Sequence, residues 1–235
     1  MKQLLVAFFT LCSIASIAQK PVNKPSIKPV AKAAVTKQRL VQIATNYGTM
    51  VVALYDSTPL HRDNFVKLVK EGFYDSLLFH RVIDGFMIQG GDPSSKNADS
   101  LAMLGGGSAP GERIAAEFKP NLIHKKGALA AARDNNPQKA SSNCQFYIVQ
   151  GKTYTDVELN MMECRARQEN PAFTYSDAQR KLYKTLGGVP FLDQNYTVYG
   201  EVVKGLEVID LIAKVQKNSS DRPFKDVRMK IKMLN

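Results

Sequence analysis

The sequence predicts a mainly β fold: a closed, eight-stranded antiparallel barrel capped by two α-helices, with a helical insertion. Three observations carry that expectation. Short apolar runs rich in β-branched residues recur between clusters of Gly, Asn and Pro. Two stretches outside residues 150–190 keep helical spacing instead. Many short strands with few covering helices need closure, because closure removes exposed strand edges.

RLVQIAT (39–45) and TMVVALY (49–55) flank Asn46-Tyr47-Gly48 and read as a hairpin. STPLHRDNFVKLVKEG (57–72) reads as a helix. Ser57 or Thr58 can cap it, Pro59 suits its first turn, Phe65, Leu68 and Val69 follow helical spacing, and Gly72 stops it. Strands follow around Leu77–Val82, Phe86–Gln89, Gly127–Ala132 and Gln145–Val149. TVYGEVV (197–203) is another, LEVIDLIAKV (206–215) is the second helix, and VRMKIKML (227–234) is the last strand. Residues 150–190 break the rhythm. TDVELNMMECRARQE and TYSDAQRKLYKTLGG are helix-like, Thr155-x-x-Glu158 and Thr174-x-x-Asp177 resemble capping boxes, and Gly187-Gly188 is a stop. The segment reads as an insertion between two strands, too small to be an independent domain.

The chain has 235 residues, 44% of them hydrophobic, which is enough for a real core. A net charge of +11 raises nucleic acid or an anionic membrane as partners. Six of those charges are the lysines of residues 1–38, which hold no acid, and the remaining +5 is ordinary. Nucleic-acid binding is therefore not expected. MKQLLVAFFTLCSIASIA (1–18) reads as an export signal: Lys2 leads an apolar run, Leu4–Leu11, too short to span a membrane. Ser16 and Ala18 place cleavage before Gln19. Leu11 ahead of Cys12 argues against a lipid-modified cysteine, and the short apolar run argues against an uncleaved anchor. No stable membrane insertion is expected after cleavage, and the destination is periplasmic or, alternatively, secreted. Residues 19–38, with Lys-Pro recurring at four-residue intervals, read as an extended, solvated tether, leaving 39–235 as the folded domain. Cys144 and Cys164 could pair in an oxidising compartment, but a core of this size does not need the bridge. No metal or nucleotide pattern is visible, so no cofactor is expected.

The chemistry lies in FHRVIDGFMIQGGD (79–92), where a guanidinium meets apolar side chains with no carboxylate pair, cysteine nucleophile or metal cluster. This segment resembles the signature of the cyclophilin-type peptidyl-prolyl isomerases. GALAAAR (127–133), QFYI (145–148) and FLDQNYTVYGEVVKGLEVID (191–210) match further family blocks in order. The resemblance covers roughly 39–235, apart from residues 150–190 and an extended loop near 94–112. It implies a cyclophilin-like barrel and catalysed rotation about X–Pro bonds in proline-containing segments of client proteins. The physics agrees independently. Rotation twists an amide whose nitrogen becomes pyramidal and more basic, and a fixed arginine donating toward it stabilises the transition state more than the ground state.

By the resemblance Arg81 is the catalytic residue. Phe86, Met87, Tyr147 and Leu192 match positions that line the proline pocket. Gln89 and Gln145 match those that hold peptide carbonyls or orient the arginine, and Ala132 and Arg133 match the strand that pairs with substrate backbone. His80 reads as a structural histidine. Phe191 stands where many members have tryptophan, Tyr196 where many have histidine, Tyr147 for phenylalanine, Arg133 for asparagine and Asp84 for proline. Phe191 lacks the indole donor, so cyclosporin-like macrocycles should bind more weakly. The Gly105-Gly106-Gly107 loop resists residue matching because the local length differs. A proline-binding module without turnover and a chaperone acting through the insertion are the other readings; the insertion also reads as inert decoration. A barrel gives no reason for an obligate dimer, and a monomer is expected.

Overall fold

The computed structural model describes residues 39–234; the expected export signal (1–18) and expected tether (19–38) lie outside the described residues. β1 (Arg39–Thr45) and β2 (Gly48–Leu54) form the expected hairpin, turned by Asn46 and Tyr47 with Thr45 opposite Gly48. α1 (Pro59–Lys70), β3 (Arg81–Ile83), β4 (Met87–Gly90), β5 (Ala128–Ala131) and β6 (Phe146–Val149) follow. The insertion supplies α2 (Asp156–Glu169) and α3 (Asp177–Thr185), and the chain ends through β7 (Val198–Lys204), α4 (Leu206–Ala213) and β8 (Met229–Met233). All eight strands form one antiparallel sheet in the order β3-β4-β6-β5-β7-β2-β1-β8.

The expected closed barrel is instead a curled, open half-barrel. β3 and β8 are its edges, and β3, at three residues, is too short to complete the ring. The segment expected as a strand over 77–82 narrows to β3 and one antiparallel bridge, Leu78 to Arg228. Beside that bridge the Phe79 N–H donates to the Val227 carbonyl at 2.9 Å, stitching the gap without closing it.

Strand periodicity divides the side chains between two apolar clusters. Phe146 and Ile148 of β6 join the main core, with Val41, Ile43, Phe65, Leu129 and Ile209. Tyr147 and Val149 point to the opposite face, with Met87, Ala128, Ala130 and Val198. Burial on both faces is why β5 and β6 read as apolar runs rather than alternations. Phe65 from α1 meets Tyr74, Phe146 and Tyr199 at ring separations of 5.1–5.6 Å, which locks the helix onto the sheet.

Helix starts show where local pattern succeeds and fails. Thr155 and Glu158 form the expected capping box of α2. The box of α3 is Ser176 with Gln179, not Thr174 with Asp177, because the Thr174 hydroxyl is engaged by the Arg167 guanidinium at 2.7 Å. Thr58 occupies the cap position of α1, but its side chain makes no cap hydrogen bond. A distant carboxylate does that work: Glu117 accepts from the backbone N–H groups of Leu60 (3.1 Å) and His61 (3.0 Å). Cys144 is buried, Cys164 is exposed, and both are free thiols.

Candidate active site

The β3–β4 hairpin sets Arg81 across from Gln89. Beside them lies a cavity of about 180 Å³ lined by Arg81, Phe86, Met87, Gln89, Ala132, Arg133, Tyr147, Leu192 and Tyr196. Nine of the eleven side chains expected at the site therefore meet there. Phe191 stands one layer back, its ring 5.6 Å from that of Phe86. Gln145 faces a second cavity of about 600 Å³, which shares Gln89, Ala132 and Arg133 with the first.

Each lining residue has a local reason for its place. Met87 and Gln89 are two apart on β4 and so share a face, and Tyr147 of β6 is the register partner of Gln89. Phe191 and Leu192 come from the short 3-10 turn Pro190–Leu192. Arg133 is pinned at the rim between the cavities. It donates to the Asn195 carbonyl (3.2 Å) and side chain (2.9 Å), and its guanidinium lies 4.5 Å over the Tyr196 ring. The Ala132 N–H donates to the Gln145 carbonyl, and its own carbonyl accepts from the Ser142 N–H, which fixes this stretch of backbone beside the cavity.

The two glutamines are hydrogen-bonded to each other and to a neighbouring loop. Gln89 donates to the Gln145 amide oxygen at 3.2 Å, and Gln145 donates to the carbonyls of Gly105 (2.9 Å) and Gly107 (2.8 Å). Together they fasten the glycine loop that sequence matching could not place. Asp92 holds the same loop from beneath, accepting from the N–H groups of Gly105 and Ser94. A Cβ at Gly107 would collide with the Asp92 carboxyl, so only glycine allows this approach. Burial pushes the Asp92 carboxyl up, and the N–H groups of Gly105, Ser94 and Gly107 overcome it and hold it below its ordinary value.

Sequence reasoning missed the partner of the arginine. Arg81 Nε lies 3.6 Å from Asp221 Oδ2, and the same carboxylate accepts from Lys217 Nζ at 2.7 Å. Lys217 also donates to the Val82 carbonyl, tying this loop to β3. Arg81 is 44% exposed at the cavity mouth, so it is anchored yet open to a ligand. His80 points away into the protein, and burial brings it down to about 4. It is neutral near pH 7 and sealed from any substrate, as a structural histidine should be.

A second constellation has the outline of a nucleophile triad. His61 Nε2 is 2.9 Å from Ser141 Oγ, and its Nδ1 is 2.7 Å from Glu117 Oε2. Ser141 and His61 are only 1% and 2% exposed, and the void beside His61 is about 10 Å³. Without room for a substrate the line is structural, pinning two surface loops to α1.

Comparison with known proteins places this geometry. Residues 40–233 match the family described as cyclophilin type peptidyl-prolyl cis-trans isomerase/CLD. A Staphylococcus haemolyticus protein provisionally named a peptidyl-prolyl cis-trans isomerase is 35% identical over 188 residues, covering 80% of this chain and 86% of that one. A Streptococcus pyogenes protein, provisionally named a bifunctional phosphatase/peptidyl-prolyl cis-trans isomerase, is 37% identical over 190 residues. The match takes in 80% of this chain but spans only 37% of that relative. The crystal structure of a cyclophilin type peptidyl-prolyl cis-trans isomerase from Cryptosporidium parvum superposes with a TM-score of 0.62. It is 23% identical, covers 85% of this chain and 99% of its own, and supports the fold. The chain belongs to the cyclophilin-type peptidyl-prolyl cis-trans isomerase family, with the isomerase activity that defines it.

Proposed function

We propose that this isomerase is a foldase for exported proteins, acting on X–Pro bonds through Arg81. One observation carries the catalytic part: a guanidinium at the mouth of a small cavity that Phe86, Met87 and Leu192 line together with polar side chains. At about 180 Å³ that cavity is below the roughly 300–1,000 Å³ of ordinary small-molecule sites, which suits a single proline ring. The ring would rest among Phe86, Met87, Tyr147 and Leu192, leaving its amide at the mouth beside Arg81. The barrier to rotation is about 20 kcal/mol because the C–N bond has partial double-bond character. As the amide twists, its nitrogen lone pair localises and accepts from the guanidinium, which donates at any physiological pH. About 8 kcal/mol of differential stabilisation would give six orders of magnitude. Peptide residues flanking the proline would extend past Arg133 into the second cavity. The C. parvum enzyme has been crystallised in the presence of the dipeptide Ala-Pro, which supports a proline-containing ligand for this site.

The export reading rests on residues 1–18 and implies a mature protein that carries the 19–38 tether and is periplasmic or, alternatively, secreted; the monomer is a separate expectation, since nothing calls for an obligate dimer. Two assays test the proposal together. N-terminal sequencing of the protein recovered from its producing cell should begin at Gln19. The purified protein should also accelerate the proline-limited slow phase in refolding of a secreted client, and Arg81→Ala should abolish that acceleration. An intact N-terminus would refute export, whereas binding of the client without acceleration would favour the proline-binding module.

A further inference from the structure

One buried carboxylate links the insertion to the wall of the smaller cavity. Asp193 follows directly after the turn that carries Phe191 and Leu192, and its side chain is fully buried. Its Oδ1 accepts from the His124 backbone N–H at 2.8 Å and lies 2.7 Å from His124 Nδ1. Its Oδ2 accepts from the hydroxyls of Tyr175 (2.7 Å) and Tyr183 (2.6 Å), both from the insertion. Four donors thus meet the four lone-pair positions of one carboxylate. With Nδ1–H directed at Asp193, the other ring nitrogen of His124 accepts from the Tyr147 hydroxyl, 3.0 Å away. Burial raises Tyr147, Tyr175 and Tyr183 well above the ordinary phenol value, so all three keep the proton they donate.

The route therefore ends on the floor of the cavity. Tyr147 lines it, its ring stacked 6.1 Å from the His124 ring and edge-on to Tyr196. A second, shorter arm runs from the Tyr175 hydroxyl to the Pro190 carbonyl at 3.3 Å, at the base of the turn bearing Phe191 and Leu192. Close seating makes both arms fit. A Cβ at Gly188 would strike the His124 carbonyl and the Tyr183 ring, so glycine there lets the end of the insertion lie flush against the His124 segment. An inert decoration would need only the apolar side of its own small core, built on Leu159, Ala166 and Phe173. Its two tyrosine hydroxyls instead leave that core and grip Asp193.

We propose that the insertion is a positioning device for the proline pocket: Tyr175 and Tyr183, through Asp193 and His124, hold the Tyr147 ring in place and thereby set how tightly the cavity grips proline. This rests on the isomerase reading above and deepens it. The relay ends on the pocket wall and does not include Arg81. A loosened floor weakens ground state and transition state alike, so affinity falls while turnover is kept.

The test is a cycle of Tyr183→Phe and Tyr147→Phe on the full-length protein, with Ala-Ala-Pro-Phe as the peptide. NMR titration gives Kd, exchange spectroscopy on the same samples gives the catalysed rate, and thermal melting checks the fold. Tyr183→Phe should raise Kd about fivefold with kcat within about twofold. On the Tyr147→Phe background, where the last bond of the relay is already cut, Tyr183→Phe should change Kd by less than about twofold. Equal changes on both backgrounds, or a lower melting temperature with unchanged Kd, would overturn the proposal. Should Tyr183→Phe fail to fold, Tyr175→Phe, which leaves the Tyr183 bond in place, completes the same cycle. A parent that binds the peptide without exchange refutes the isomerase reading alone, and the Kd cycle still decides the relay. A parent that does not bind the peptide overturns both.

Discussion

Acid should weaken the folded state through a group with no part in catalysis. His80 is 3% exposed, and burial moves it from the ordinary 6.5 to about 4. At about 1.4 kcal/mol per pKa unit, that displacement amounts to about 3 kcal/mol of stability. Between pH 6.5 and 4 the unfolded chain binds a proton at His80 that the folded chain does not. Stability therefore rises with pH across this window and is lost as pH falls through it. At pH 5 the group alone contributes a slope of about 1.2 kcal/mol per pH unit. His61, also lowered by burial against the opposing pull of Glu117, acts in the same direction. Urea unfolding should be followed by circular dichroism, since the chain has no tryptophan. Measured from pH 6.5 to 5, above most carboxylate titration, His80→Gln should lower the slope by about 1 kcal/mol per pH unit relative to the parent. An unchanged slope would show that His80 titrates normally in the folded protein, and the argument from burial would fail.

Asp221→Asn should lower kcat two- to fivefold and leave KM nearly unchanged, about what a partly exposed ion pair is worth. Asparagine tolerates the left-handed backbone at this position (φ 61°), so melting temperature should barely move. Glu117→Ala should cost about 2–3 kcal/mol in urea unfolding, because it strips the α1 N-terminus of its acceptor and leaves His61 Nδ1 unpaired. Cyclosporin should bind more weakly than to tryptophan-bearing relatives, since Phe191 packs on Phe86 and offers no N–H donor; a fluorescent macrocycle titration checks this.

Much of the site could be read from sequence because its residues fall on short strands with a two-residue period. Arg81, Met87 and Gln89 sit on one hairpin, so their spacing in the signature already fixed their relation in space. Their surroundings were less accessible. Strand closure depends on whether residues near 78 and 228 pair over their full length, and no local pattern encodes that. The expected Thr174 box gave way to one headed by Ser176, with Arg167 taking the threonine hydroxyl. Glu117 capping α1, Asp221 holding Arg81 and Tyr183 reaching Asp193 are single polar contacts between elements. Such contacts leave no periodic trace in the sequence.

The most direct test of the account is the cis–trans exchange rate of Ala-Ala-Pro-Phe, measured by NMR with the parent protein and with Arg81→Ala. The account predicts strong acceleration by the parent. Folded Arg81→Ala should still bind the peptide but lose at least about a hundredfold in kcat/KM, roughly 2.7 kcal/mol of transition-state stabilisation. A folded variant that retains parental kcat/KM would contradict the assignment of Arg81 as the group that stabilises the twisted amide.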